Sequence, residues 1–138
     1  MTSTADFERH LVVLACAVSA GIHAALVPHH LAEGAGARLG FLGAAVGLAV
    51  LGVALTRRSH STATLGAAAV LLTGLLVSYV LAITSGVPLL HPEPDPVDGL
   101  ALSTKGVELA GLLAAAHLLL RERLALMHVS PRTKGTTT

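Results

Sequence analysis

His23, His29, His30 and Glu33 fall close together at the end of an apolar run, residues 11–27, with Pro28 among them. Ionisable groups at membrane depth are costly, and they usually mark a site. Imidazole with carboxylate, and no thiolate nearby, suits Zn2+, Mn2+, Fe2+ or Cu2+ rather than Cu+. Spacing decides which residues can share an ion. His30 and Glu33 stand at i,i+3 and can chelate from one helical turn. His23 and His30 share a helix face but are separated by about 10 Å along a straight helix. They converge only if the chain ends or bends at Pro28. His29 points elsewhere.

A second stretch, residues 84–99, carries His91, Glu93, Asp95 and Asp98 between Pro88, Pro92, Pro94 and Pro96. Its prolines make it stiff, and Gly86 and Gly99 are its turn points. Such a segment reads as a lid or site wall. Asp98 either caps the next helix or joins the ligands, and Ser103 is the other candidate cap. Glu108 then lies ~7 Å into that helix if it starts at Ser103, or ~15 Å if it starts at Asp98. At either depth it must face the interior and find a partner. The candidate metal set is His23, His30, Glu33 and Glu108, with Asp98 and Glu93 as outer or alternate ligands. No H-E-x-x-H or paired E-x-x-H motif is present, so the clustering itself is the signal.

The elements that must position these residues are helices. The chain of 138 residues is 53% hydrophobic and 12% charged, with a mean hydropathy of +0.73. That charged fraction is about half the ~25% of a soluble domain. Aromatic residues make up 2%, with no Trp, so the core must come from Leu, Val, Ala and Gly. Such a composition suits small-residue packing in lipid. Four apolar runs, about residues 11–27, 39–56, 63–83 and 104–120, each approach the ~20 residues needed to span a bilayer. In lipid only helices satisfy the backbone of such runs. The expected fold is therefore all-α: a four-helix transmembrane bundle forming one domain over residues 1–126, with a disordered cytoplasmic tail at 127–138.

Basic residues set the expected orientation. Arg9, Arg57, Arg58, Arg121, Arg123, Arg132 and Lys134 share one side, and Arg38 and Lys105 the other. The positive-inside rule places both termini in the cytoplasm of a multi-pass plasma-membrane protein. The outer half then holds five of the eight carboxylates and four of the eight histidines. A cleaved signal peptide over residues 1–20 is the rival reading. Asp6 and Glu8 before the apolar run, which continues to Val27, argue against it.

Several functions are disfavoured. A net charge of +1 implies no nucleic-acid partner. Cys16 is the sole cysteine, which rules out an intrachain disulfide and a thiolate cluster. Haem is not expected, because bis-histidine ligation needs facing histidines at one depth and His23 and His117 lie near opposite ends. No nucleophile motif surrounds Thr84, Ser85 or Ser103, so catalysis is not indicated. A metal-assisted hydrolase would share the ligands above. Gly43-x-x-x-Gly47 offers a close-approach surface, within the bundle or for a homo-oligomer.

The quoted motifs resemble a family of small four-span membrane proteins common in high-GC Gram-positive bacteria. That family shows H-x4-P-x-H-x2-E after its first span, then Gly-x-Pro, an acidic Pro-rich loop and a Glu in the fourth span. The matching positions are His23, Pro28, His30 and Glu33, then Gly86-Val87-Pro88, Glu93, Asp98 and Glu108. Where the family has Ser-Arg-Thr before Gly-x-Pro, this chain has Ala82-Ile83-Thr84-Ser85 and so lacks the cation. The resemblance implies topology and the choice of site residues, and names no reaction. The expected function is an outward-facing His/carboxylate site that binds or handles a divalent transition metal. The alternatives are an accessory subunit of a larger membrane complex, or an oligomeric proton or cation transporter subunit that uses Glu108.

Overall fold

The computed structural model describes residues 4–28, 35–57, 61–86 and 97–129. Four helices account for nearly all of them: α1 (Thr4–Leu26), α2 (Ala35–Arg57), α3 (Thr62–Thr84) and α4 (Gly99–Val129). Each expected apolar run falls on one helix, the first passing its end by a single residue, Val27. The helix ends follow local chemistry. α1 stops at Leu26, ahead of Pro28, whose ring disfavours helical geometry at the preceding residue. At the start of α3, Ser61 Oγ accepts from the Thr64 amide at 3.2 Å. α3 closes with the Ser85 amide on the Leu81 carbonyl and with Gly86 at φ 67, a left-handed conformation that favours glycine. α4 begins at Gly99, well before residue 104, and runs on to Val129. Its start is set by Asp98, whose Oδ1 accepts from the Ala101 amide at 2.7 Å.

The helices form a ring in which α1 packs on α2 and α4, and α3 on α2 and α4. Neighbours run antiparallel. Along α1 and α4 the facing pairs are Glu8 with His117, Ala15 with Gly111, and Ser19 with Glu108. Along α3 and α4 they are Thr62 with Glu122, Leu72 with Gly111, and Tyr79 with Lys105. Both ends of the described chain therefore lie at one end of the bundle.

Polarity is inverted relative to a soluble protein. The interior holds Val12, Leu48, Leu72 and Ala115, but also Ser19, Thr104 and Glu108. Val46, Val50, Val70, Val77, Leu109 and Leu113 are exposed, Val70 to 74%. Helices α1, α2 and α3 are long and apolar enough to cross a membrane, and only 11% of the most apolar stretch of α3 is buried. Apolar surface on this scale belongs in a bilayer. The protein is membrane-embedded.

One glycine governs the α1–α4 approach. A Cβ on Gly111 would collide with the Ala15 side chain and press on Leu72. Gly43 has open space around its Cα, whereas a Cβ on Gly47 would lie 3.2 Å from Leu71 Cδ2. Of the Gly43/Gly47 pair, Gly47 therefore faces the bundle's own α3. Gly111→Leu is expected to cost about 2 kcal/mol through overpacking. Gly43→Ala should leave stability unchanged or raise it by up to about 1 kcal/mol through helix propensity. Thermal melting of both variants in detergent checks this contrast.

Candidate functional site

The close approach at Ala15 and Gly111 brings the next turn of each helix together. Ser19 follows Ala15 by four residues, and Glu108 precedes Gly111 by three. Both side chains are fully buried. Ser19 Oγ donates to Glu108 Oε1 at 2.5 Å. The other carboxylate oxygen, Oε2, accepts from Lys105 Nζ at 2.7 Å within α4. Lys105 keeps 15% of its side chain exposed, and its Nζ lies 5.6 Å from the centre of the Tyr79 ring on α3. The Tyr79 hydroxyl is buried and has no hydrogen-bond partner among the described residues.

His23 lies one turn beyond Ser19 and is 6% exposed. Its Nδ1 is 2.8 Å from the Ser19 carbonyl and 3.3 Å from Ser19 Oγ. A carbonyl only accepts, so Nδ1 carries the proton and, in the neutral ring, Nε2 holds the lone pair. The ring packs against Phe41 of α2, with centroids 5.7 Å apart and planes tilted by 39°. Thr104, also buried, donates back to the Leu100 carbonyl at 2.8 Å. All four helices thus contribute to the walls of one polar cluster.

The electrostatics rest on Glu108 and Lys105. Taking two charges out of water costs several kcal/mol per ion, and mutual attraction offsets this only with good geometry and further hydrogen bonds. Ser19 supplies the further bond, and the Tyr79 ring adds a cation–π surface. Both oxygens of the carboxylate are therefore engaged by the protein itself. The cluster can store or pass a proton between neighbouring acid, base and hydroxyl groups, and it joins α1 to α4.

Of the six residues expected as metal ligands, the structure brings His23 and Glu108 together through Ser19. Asp98 serves as the α4 cap. His30, Glu33 and Glu93 lie outside the described residues, as do His29, His91 and Asp95. Among the described residues, no group of three or more His, Cys, Asp or Glu side chains is arranged to hold a metal ion. His117 accompanies Glu8 at 2.9 Å, at the far end of the same α1–α4 seam.

Sequence reasoning did not select Ser19, Lys105, Thr104 or Tyr79. Two signals were available: Lys105 and Glu108 at i,i+3 form an ion-pair spacing, and Ser19 and His23 at i,i+4 share a face. Nothing in the sequence connects Tyr79 to them.

Comparison of the chain with protein-family models, curated proteins and solved structures finds no match.

Ser19→Ala leaves a buried carboxylate oxygen without a donor, which should cost about 1–3 kcal/mol. Combined with Glu108→Gln, its effect should be markedly less than additive. Melting temperatures of the two single variants and the double variant measure the coupling.

Proposed function

We propose that this chain is a four-span plasma-membrane protein with cytoplasmic termini, acting as a proton-linked transport subunit that uses Glu108 as its relay. The observation that carries this reading is a fully buried carboxylate held between a hydroxyl of α1 and an ammonium of α4. Ionisable side chains enclosed by membrane helices mark ion pathways and proton relays. The pair has a built-in exchange. A proton on Glu108 loosens its tie to Lys105, and Lys105, partly exposed, can then turn outward. Loss of that proton restores the pair. His23 stands beside the same serine and is a second proton carrier.

A fourth span is supported by the surface of α4. Leu109, Leu113 and Leu120 are exposed, while Thr104 and Glu108 turn inward. A pathway within so small a bundle is narrow, so the working unit is an oligomer or a larger complex.

Proteoliposomes holding a pH-sensitive dye test the proposal. The wild-type protein should dissipate an imposed proton gradient, and Glu108→Gln should slow this at least tenfold, an effect of about 1.4 kcal/mol on the barrier. Equal rates would refute it. A carboxy-terminal fluorescent protein should fluoresce in cells, whereas alkaline phosphatase at the same position should be inactive.

A divalent-metal site on His23 is the second reading. Its support is the bond from Nδ1 to the Ser19 carbonyl, which is how metal-ligating histidines are commonly oriented, with Nε2 left for the ion. Coordination by Glu108 would require Lys105 to give up Oε2. Elemental analysis of purified protein should then show bound Zn, Cu, Fe or Mn that is lost in the His23→Ala/His30→Ala double variant. Equal metal in both would refute this reading.

A further inference from the structure

Away from the polar cluster, α2 and α3 part to leave a groove of about 560 Å3 lined by Ala49, Val50, Val53, Ala54, Arg57 and Thr64. Two residues before Ala49 the two helices touch, where Leu71 Cδ2 would sit 3.2 Å from a Cβ on Gly47. From Ala49 to Arg57 the groove runs about 12 Å along α2 at 1.5 Å per residue. That is most of one leaflet of a hydrocarbon core ~30 Å thick. Its walls are small and apolar. Arg57, the last residue of α2, is exposed at its end and has no hydrogen-bond or ion-pair partner among the described residues. The Thr64 hydroxyl is already engaged with Ser61 Oγ at 2.9 Å.

We propose that this groove is a binding site for an anionic glycerophospholipid, with one acyl chain between α2 and α3 and the phosphate on the Arg57 guanidinium. The argument is complementarity. An acyl chain matches the aliphatic walls, and a guanidinium pairs with phosphate through parallel hydrogen bonds. A basic residue at the end of an interhelical groove is a recurrent setting for acidic head groups. A second copy of the chain fits less well. An isologous contact about an axis normal to the membrane would set two Arg57 side chains at one level. No acid lines the groove to separate them. The inference rests on the membrane reading above and is independent of proton transfer at Glu108.

The test uses the full-length protein in phosphatidylcholine vesicles containing a minor fraction of phosphatidylglycerol, with retained lipids counted by native mass spectrometry. Phosphatidylglycerol should be enriched about fivefold over its bulk share, the effect of one basic side chain near a head group. Arg57→Gln should return it to the bulk share. Ala49→Phe, which fills the groove from an exposed position and leaves Arg57 in place, should do the same. Arg121→Gln, at the same end of the bundle on α4, should leave the enrichment intact. The proposal is overturned if the wild type shows no enrichment, if enrichment survives Arg57→Gln or Ala49→Phe, or if Arg121→Gln lowers it equally. A dimer cross-linked through cysteines introduced at Val50 and Val53, persisting in the vesicles, would assign the groove to a second copy instead. Flotation separates the two claims: a chain that does not float with vesicles refutes the membrane reading, whereas one that floats without enrichment refutes only the lipid site.

Discussion

A carboxylate with no access to water must find its donors inside the protein, and Glu108 finds two. The bond from Ser19 requires the α1 and α4 backbones to come closer than ordinary side chains allow. Gly111 permits that approach, because a methyl group there would occupy the space of Ala15. Ala15 and Gly111 are thus the mechanical condition for the hydrogen bond one turn away. The α1–α4 register, the inward face of α4 and the seating of His23 beside Ser19 all follow from this seam.

The same seam divides the labour among the helices. α2 and α3 carry no charged side chain between Arg38 and Arg57 or between Thr62 and Thr84, and they bring only Phe41 and Tyr79 to the cluster. α1 supplies a hydroxyl and an imidazole, and α4 the ion pair. Such a pair is weak evidence of stability, because desolvation offsets most of its attraction. Its presence in a membrane-embedded protein argues for use, and the buried Tyr79 hydroxyl, with no hydrogen-bond partner among the described residues, points the same way.

Much of the fold was legible in the sequence. Four apolar runs became four helices, three of them long and apolar enough to cross a membrane, where hydrocarbon leaves the backbone no other way to satisfy its hydrogen bonds. The inward face of Glu108 was legible too, from its depth in the fourth run. Its partners were not. Lys105 entered only as a basic residue of the outer side, whereas its ammonium reaches the acid three residues on. Ser19 is one small polar residue in an apolar run. Its role depends on how closely α1 meets α4, and that is set by a collision avoided at Gly111, which single-chain periodicity does not encode. Asp98 had two readings, cap and ligand, and local hydrogen bonding places it as a cap.

The antiparallel ring has a consequence for biogenesis. Glu108 belongs to α4, which leaves the ribosome after α1 and its Ser19. On the four-span reading, the apolar runs of the first three helices enter the bilayer with no Asp, Glu, Lys or Arg. The fourth brings Lys105 and Glu108 as an intrahelical pair, and the carboxylate gains its second donor once α1 is alongside. The α1–α4 bond is therefore formed only after all four helices have been made. A chain in which α1 is misplaced keeps the Lys105 pair but leaves Glu108 Oε1 without its donor in an apolar interior.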